Sequence, residues 1–110
     1  MPGSFDERER SFEAKWVHDQ ELRFRVYSRR NGMLGFWAAG EIGLKGAEAD
    51  AYARAIVAKE FEKGGEDAIF GMIRQDFDSH RVTHSDHMIR RKMADLLDAA
   101  KAEQEREPKR

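Results

Sequence analysis

Cysteine is absent from all 110 residues. That removes disulfides, zinc–thiolate sites and thiol catalysis. Proline occurs only as Pro2 and Pro108, so nothing between the two ends is forced to break a helix. Val, Ile and Thr together number ten, which starves strands of their preferred residues. The longest apolar run, Met33 to Ala39, has seven residues, whereas a membrane span needs about 20. The first fifteen residues hold Asp6, Glu7, Glu9 and Glu13 and contain no apolar stretch, so no secretory signal is expected. Neither charge is in excess: 20 Lys and Arg face 21 Asp and Glu, a formal net charge of −1. That balance argues against a nucleic-acid partner. The expectation is one soluble, cytoplasmic domain without membrane insertion.

Ala, Glu, Lys, Leu and Arg are abundant instead, at 51 of the 110 residues. A share near one half is typical of long helices. The fold class expected is all-α: a compact four-helix bundle preceded by a partly disordered N-terminal helical arm. Ser4-Phe5-Asp6-Glu7 is a capping-box pattern, which starts a helix near residue 5. From 5 to 19 the apolar stripe is thin, with Phe5, Phe12 and Trp16 its only large members. An isolated helix of this length is marginal in water, so the arm 1–19 is expected to fray or to fold on a partner.

The bundle is expected over 20–105. The first helix covers about 20–42, because the apolar phase before Asn31-Gly32 continues after it. Gly32 costs that helix about 1 kcal/mol relative to alanine. The second helix, 47–63, carries Ala49, Tyr52, Ala53, Ile56, Val57 and Phe61 on one face. The third, 66–79, turns Ile69, Met72, Ile73 and Phe77 inward. The fourth, 84–104, is expected to be capped by Thr83. Phe36 and Trp37 read as core aromatics. Residues 106–110 form a frayed charged tail.

Candidate chemistry is sparse. His80, His84 and His87 lie within eight residues, and His84 and His87 are spaced i,i+3, which metal ligation tolerates. A polar helix connection with surface imidazoles is the preferred reading of them. Free amides at the start of a helix, with His84, His87, Arg90 and Arg91 nearby, make a weak anion or ligand site conceivable. Asp86 in the first turn opposes it. No glycine pattern matches a phosphate-binding loop. Arg23, Arg25, Arg29 and Arg30 form a basic run that reads as a solvated face or as a dock for an acidic partner. No catalytic constellation, metal site or cofactor signature is present, so an enzyme is not expected.

Several blocks together have a more specific meaning. These are Phe5-Asp6-Glu7-Arg8-Glu9-Arg10, Glu13-Ala14-Lys15, His18-Asp19, Glu21-Leu22, Arg29-Arg30-Asn31, Leu34-Gly35, Trp37-Ala38-Ala39, Tyr52-Ala53 and Gly65-Glu66-Asp67. In this order and spacing the chain resembles the zeta subunit family of alphaproteobacterial F-type ATP synthases, over nearly its whole length. Gly32 departs from the family pattern, where lysine is usual. The resemblance implies a four-helix bundle that inhibits ATP hydrolysis. Its N-terminal helix would wedge into an alpha/beta catalytic interface against the gamma subunit and block hydrolytic rotation. The inhibitory positions it implies are Phe5, Asp6, Arg8, Glu9, Arg10, Glu13 and Lys15, with Phe12 and Trp16 as neighbouring anchors. The protein would be monomeric when free and peripheral to the inner membrane through the ATP synthase. The competing expectation is a small helical adaptor or a module binding a nucleotide or metal through 80–91.

Overall fold

A computed structural model describes residues 4–107, and the side chains of residues 4–9 and of Val17 fall outside that description. Five helices follow one another: α1 (Ser4–His18), α2 (Gln20–Ile42), α3 (Gly46–Lys59), α4 (Gly65–Ser79) and α5 (Asp86–Arg106). No strand occurs among the described residues. The all-α class holds, but the count is five helices where a bundle of four was expected. The additional helix, α1, is the segment expected as a helical arm, and it packs on α2.

The ends of α2 show how side chains set its limits. Asp19 is extended (φ −95°, ψ 107°), and its carboxylate accepts the Leu22 amide at 3.1 Å. That is an N-cap: it satisfies one of the amides a helix leaves unpaired. At the other end Gly43 takes φ +96°, and the Leu44 amide returns to the Ala39 carbonyl at 2.9 Å. A side chain would strain this left-handed turn, which glycine makes freely. Between these caps α2 runs unbroken through Asn31-Gly32.

Leu34, Ala38, Ile56, Ile69, Ile73, Phe77, Ile89 and Met93 form the main core, drawn from α2, α3, α4 and α5. A smaller cluster of Trp16, Val26 and Ala100 joins α1, α2 and α5. The α2–α3 contact is close because Gly35 is buried against Ala53. A Cβ built on Gly35 would stand 2.5 Å from the Ala53 Cα.

Four details depart from the sequence reading. Phe36 is 52% exposed, while Trp37 packs on the core. Adjacent helical residues point about 100° apart, and here Trp37 lies on the core side of α2 while Phe36 lies on its outer side. Helix α3 stops at Lys59, not near 63, and Phe61 is 70% exposed. The amides of Glu60 and Phe61 bond three residues back, to Val57 and Ala58, so the last turn tightens and carries Phe61 off the apolar stripe. Ser85, not Thr83, caps α5: its side chain accepts the Met88 amide at 3.1 Å. The chain reaches Ser85 through Arg81, which holds the left-handed conformation (φ +59°). Finally, α5 continues to Arg106 and buries Gln104. Residues 108–110 of the expected tail lie outside the described residues.

The basic run is also redistributed. Arg30 is 1% exposed, bonded to Glu66, to the Met93 carbonyl at 3.2 Å and to the Asn31 side chain at 2.7 Å. Asn31 in turn donates to Glu60 at 3.0 Å. Arg29 bridges to Glu103 at 3.0 Å and to Glu107, and Arg25 pairs with Glu21. The Arg23 guanidinium lies 5.8 Å from the centre of the Trp16 ring. A buried charge survives only when paired and hydrogen-bonded, and Arg30 meets that condition. The solvated-face reading fits Arg23 and Arg25, which are exposed, but not Arg29, which is half-buried, or Arg30, which is buried.

Candidate functional site

The candidate site is α1 and the surface that receives it. Helix α1 leaves α2 through one residue, Asp19. Trp16, with 9% of its surface exposed, is the main attachment. Its ring lies 5.9 Å from Tyr27, and the Lys101 ammonium sits 4.6 Å from the ring centre. A cation over an indole face is attracted by the ring quadrupole. Glu13 holds both partners: one oxygen accepts the Trp16 indole N–H at 2.9 Å, and the other meets the Lys101 ammonium at 3.3 Å. Phe12 is partly buried against the same cluster.

Magnitudes show how firmly α1 is held. Fully burying one large apolar side chain stabilises by about 1.5–3 kcal/mol. The Glu13 side chain is 55% exposed, so its ion pair adds less than about 1 kcal/mol. The main core has eight buried side chains, whereas α1 contributes one buried ring and part of another. The attachment is real but small beside the cohesion of α2–α5. The remaining arm positions behave differently. Arg10 and Lys15 are exposed on α1. Arg10 lines a cleft between α1 and α5 of about 630 Å³, together with Phe12, Glu13, Asp98, Lys101, Ala102 and Glu105. For Phe5, Asp6, Arg8 and Glu9 the expected roles fall on side chains outside the described residues.

The segment 80–91 has another character. His84 stacks on Trp37, with ring centres 5.7 Å apart and planes inclined by 28°. Its Nε2 lies 3.2 Å from a Glu41 oxygen. Arg90 pairs with Asp67 at 3.0 Å and lies over the Phe70 ring at 4.0 Å. Arg91 is near Asp95 at 3.8 Å, and His87 is exposed at the start of α5. Among the described residues no side-chain hydrogen bond or ion pair joins any two of His84, His87, Arg90 and Arg91. Asp86 is taken by Arg74, which also bonds Asp78 and the His84 carbonyl. Those carboxylates raise the Arg74 pKa above its ordinary value. Burial, with the 2.8 Å hydrogen bond to Asp76, pushes the Tyr52 phenol far above its usual pKa. Both networks connect helices: Tyr52 of α3 with Asp76 of α4, and Arg74 of α4 with Asp86 of α5. No group of three His, Asp or Glu among the described residues is placed to hold a metal ion.

The arrangement is therefore a bundle of α2–α5 with a lightly docked, charged helix α1 joined to it through one residue. One family model, that of ATPase inhibitor subunit zeta, matches residues 2–103. The chain belongs to this zeta family. Compared with curated proteins it has no significant match. The zeta match spans α1 as well as α2–α5, so α1 is part of the family pattern and not an appendage to it. No helix among the described residues is long and apolar enough to cross a membrane.

The sequence pointed to Phe12, Glu13 and Trp16 but not to what receives them. Tyr27, Ala100 and Lys101 lie 11, 84 and 85 residues from Trp16 in the chain. A lysine in a charged C-terminal helix carries no sign of a distant indole partner.

Proposed function

We propose that the protein is a non-enzymatic inhibitor of ATP hydrolysis by an F-type ATP synthase, and that α1 is its inhibitory element. Membership of the zeta family supports the first part. The second part rests on the separateness of α1: a single residue joins it to α2, and one buried ring holds it. In this reading α1 enters an alpha/beta catalytic interface against gamma. Phe12 and Trp16 become the buried anchors there, and Arg10, Glu13 and Lys15 fix its register by charge. A wedge of this kind stops rotation without chemistry, so no catalytic group is needed. The protein would then lie at the inner membrane only through the synthase.

The test is ATP hydrolysis by F-type ATPase from a related alphaproteobacterium, with full-length protein and with a version lacking residues 1–18. That deletion leaves Asp19 to cap α2. Inhibition should vanish, while the truncated bundle still melts cooperatively by circular dichroism. Undiminished inhibition by the truncated protein overturns the role given to α1.

A further inference from the structure

We propose that the docked α1 is a stored, self-restrained form of the inhibitor, with Asp19 as its hinge; this rests on the inhibitory role given to α1 above. The same side chains would be needed twice. Trp16 is 9% exposed because it packs on Val26, Tyr27 and Ala100, under the Lys101 ammonium. Phe12 is partly buried beside it. While Phe12 and Trp16 face their own bundle, α1 cannot offer these two side chains to a second surface. The arm must leave α2 and α5 before it can bind.

The hinge makes that departure local. Helices α1 and α2 are separated only by Asp19, held extended by its cap to the Leu22 amide. Turning this one residue to helical angles would join α1 and α2 into a continuous helix from Ser4 to Ile42. The cap is lost in the straight form, and ordinary backbone hydrogen bonds across the joint replace it. Two arrangements of one segment, differing at one residue and one small contact cluster, make a bistable element. The affinity that a partner sees is then the intrinsic affinity reduced by the fraction released.

Two full-length variants separate contact from hinge. Lys101→Glu removes the nearer of the two cations at the Trp16 ring, leaving Arg23, and sets a carboxylate against Glu13. Asp19→Ala removes the cap and favours the straight helix without touching the docking surface. Neither residue belongs to the inhibitory set. For each, the half-inhibitory concentration against ATP hydrolysis is measured together with hydrogen exchange of the amides of residues 10–18. Both variants should speed that exchange and lower the half-inhibitory concentration, by up to about tenfold if one molecule in ten is released in the wild type. Faster exchange with an unchanged or higher half-inhibitory concentration overturns storage. Unchanged exchange in Lys101→Glu also overturns it, because the docked form is then not held by this contact. A wild-type protein that does not inhibit removes the functional reading and this inference together.

Discussion

Replacing Gly35 by alanine adds one methyl group where α2 meets α3. That methyl carbon would stand 2.5 Å from the Ala53 Cα, 3.1 Å from its Cβ and 3.3 Å from its carbonyl oxygen. The obstacle is backbone, so no rotamer change relieves it, and the helices must move apart. Overpacking of this kind costs about 1–3 kcal/mol. Alanine's better helix propensity returns up to about 1 kcal/mol. The net expectation is a loss of about 1–2 kcal/mol. The internal control lies three residues earlier. Gly32 is also inside α2, and a Cβ there meets nothing within 4 Å. Gly32→Ala should therefore gain about 0.5–1 kcal/mol from propensity alone. For a domain of this size 1 kcal/mol moves the melting temperature by about 4–8 °C. Thermal melts followed at 222 nm should place the two variants on opposite sides of the wild type. Adding Ala53→Gly to Gly35→Ala should rescue little, because the 2.5 Å contact is to Cα and not to the side chain. A Gly35→Ala protein as stable as Gly32→Ala would refute the packing argument.

Two further expectations follow from the caps and the buried phenol. Ser85→Ala should cost about 1 kcal/mol of stability, the usual value of an N-cap, whereas Thr83→Ala at its exposed site should stay within about 0.5 kcal/mol; urea titration distinguishes them, and equal effects would put the cap elsewhere. Tyr52 keeps its proton in the folded state to higher pH than an unfolded tyrosine, which ionises near 10. Above that pH the unfolded state holds fewer protons and gains ground, so the stability advantage of wild type over Tyr52→Phe should be full below pH 10 and shrink above it; a difference that stays constant from pH 8 to 11 contradicts the assignment.

The helices were legible where a local rule decides them. The phase of Val26, Leu34 and Ala38 passes over Asn31-Gly32 without a slip, and that continuity outweighs the turn preference of the dipeptide. Periodicity misled where the chain leaves a helix early, because Phe61 keeps the phase of Ile56 and Val57 after the hydrogen bonds have changed. Thr83 and Ser85 both satisfy the composition of a cap. Only the backbone around the left-handed Arg81 decides between them. Long-range polar links were not legible. Arg30 looks like its neighbours Arg29 and Arg25 until Glu66 and the Met93 carbonyl, 36 and 63 residues away, are seen beside it. The candidate site divides in the same way. The thin aromatic stripe of α1 can be read from spacing, while its resting place depends on a lysine in the last helix.

The buried guanidinium at Arg30 also acts on misfolded alternatives. A guanidinium brings its charge and its five donors wherever the chain places it. If α2 slid by one turn, about 5.4 Å, Arg30 would leave Glu66 and the Met93 carbonyl. An unpaired buried ion costs several kcal/mol, a large fraction of what holds a domain of this size together. The apolar side chains of the main core tolerate small shifts and would accept several such registers. The charge accepts one. It proofreads the alignment of α2 against α4 and α5 as the chain packs, and that alignment also sets where Val26 and Tyr27 stand when α1 arrives.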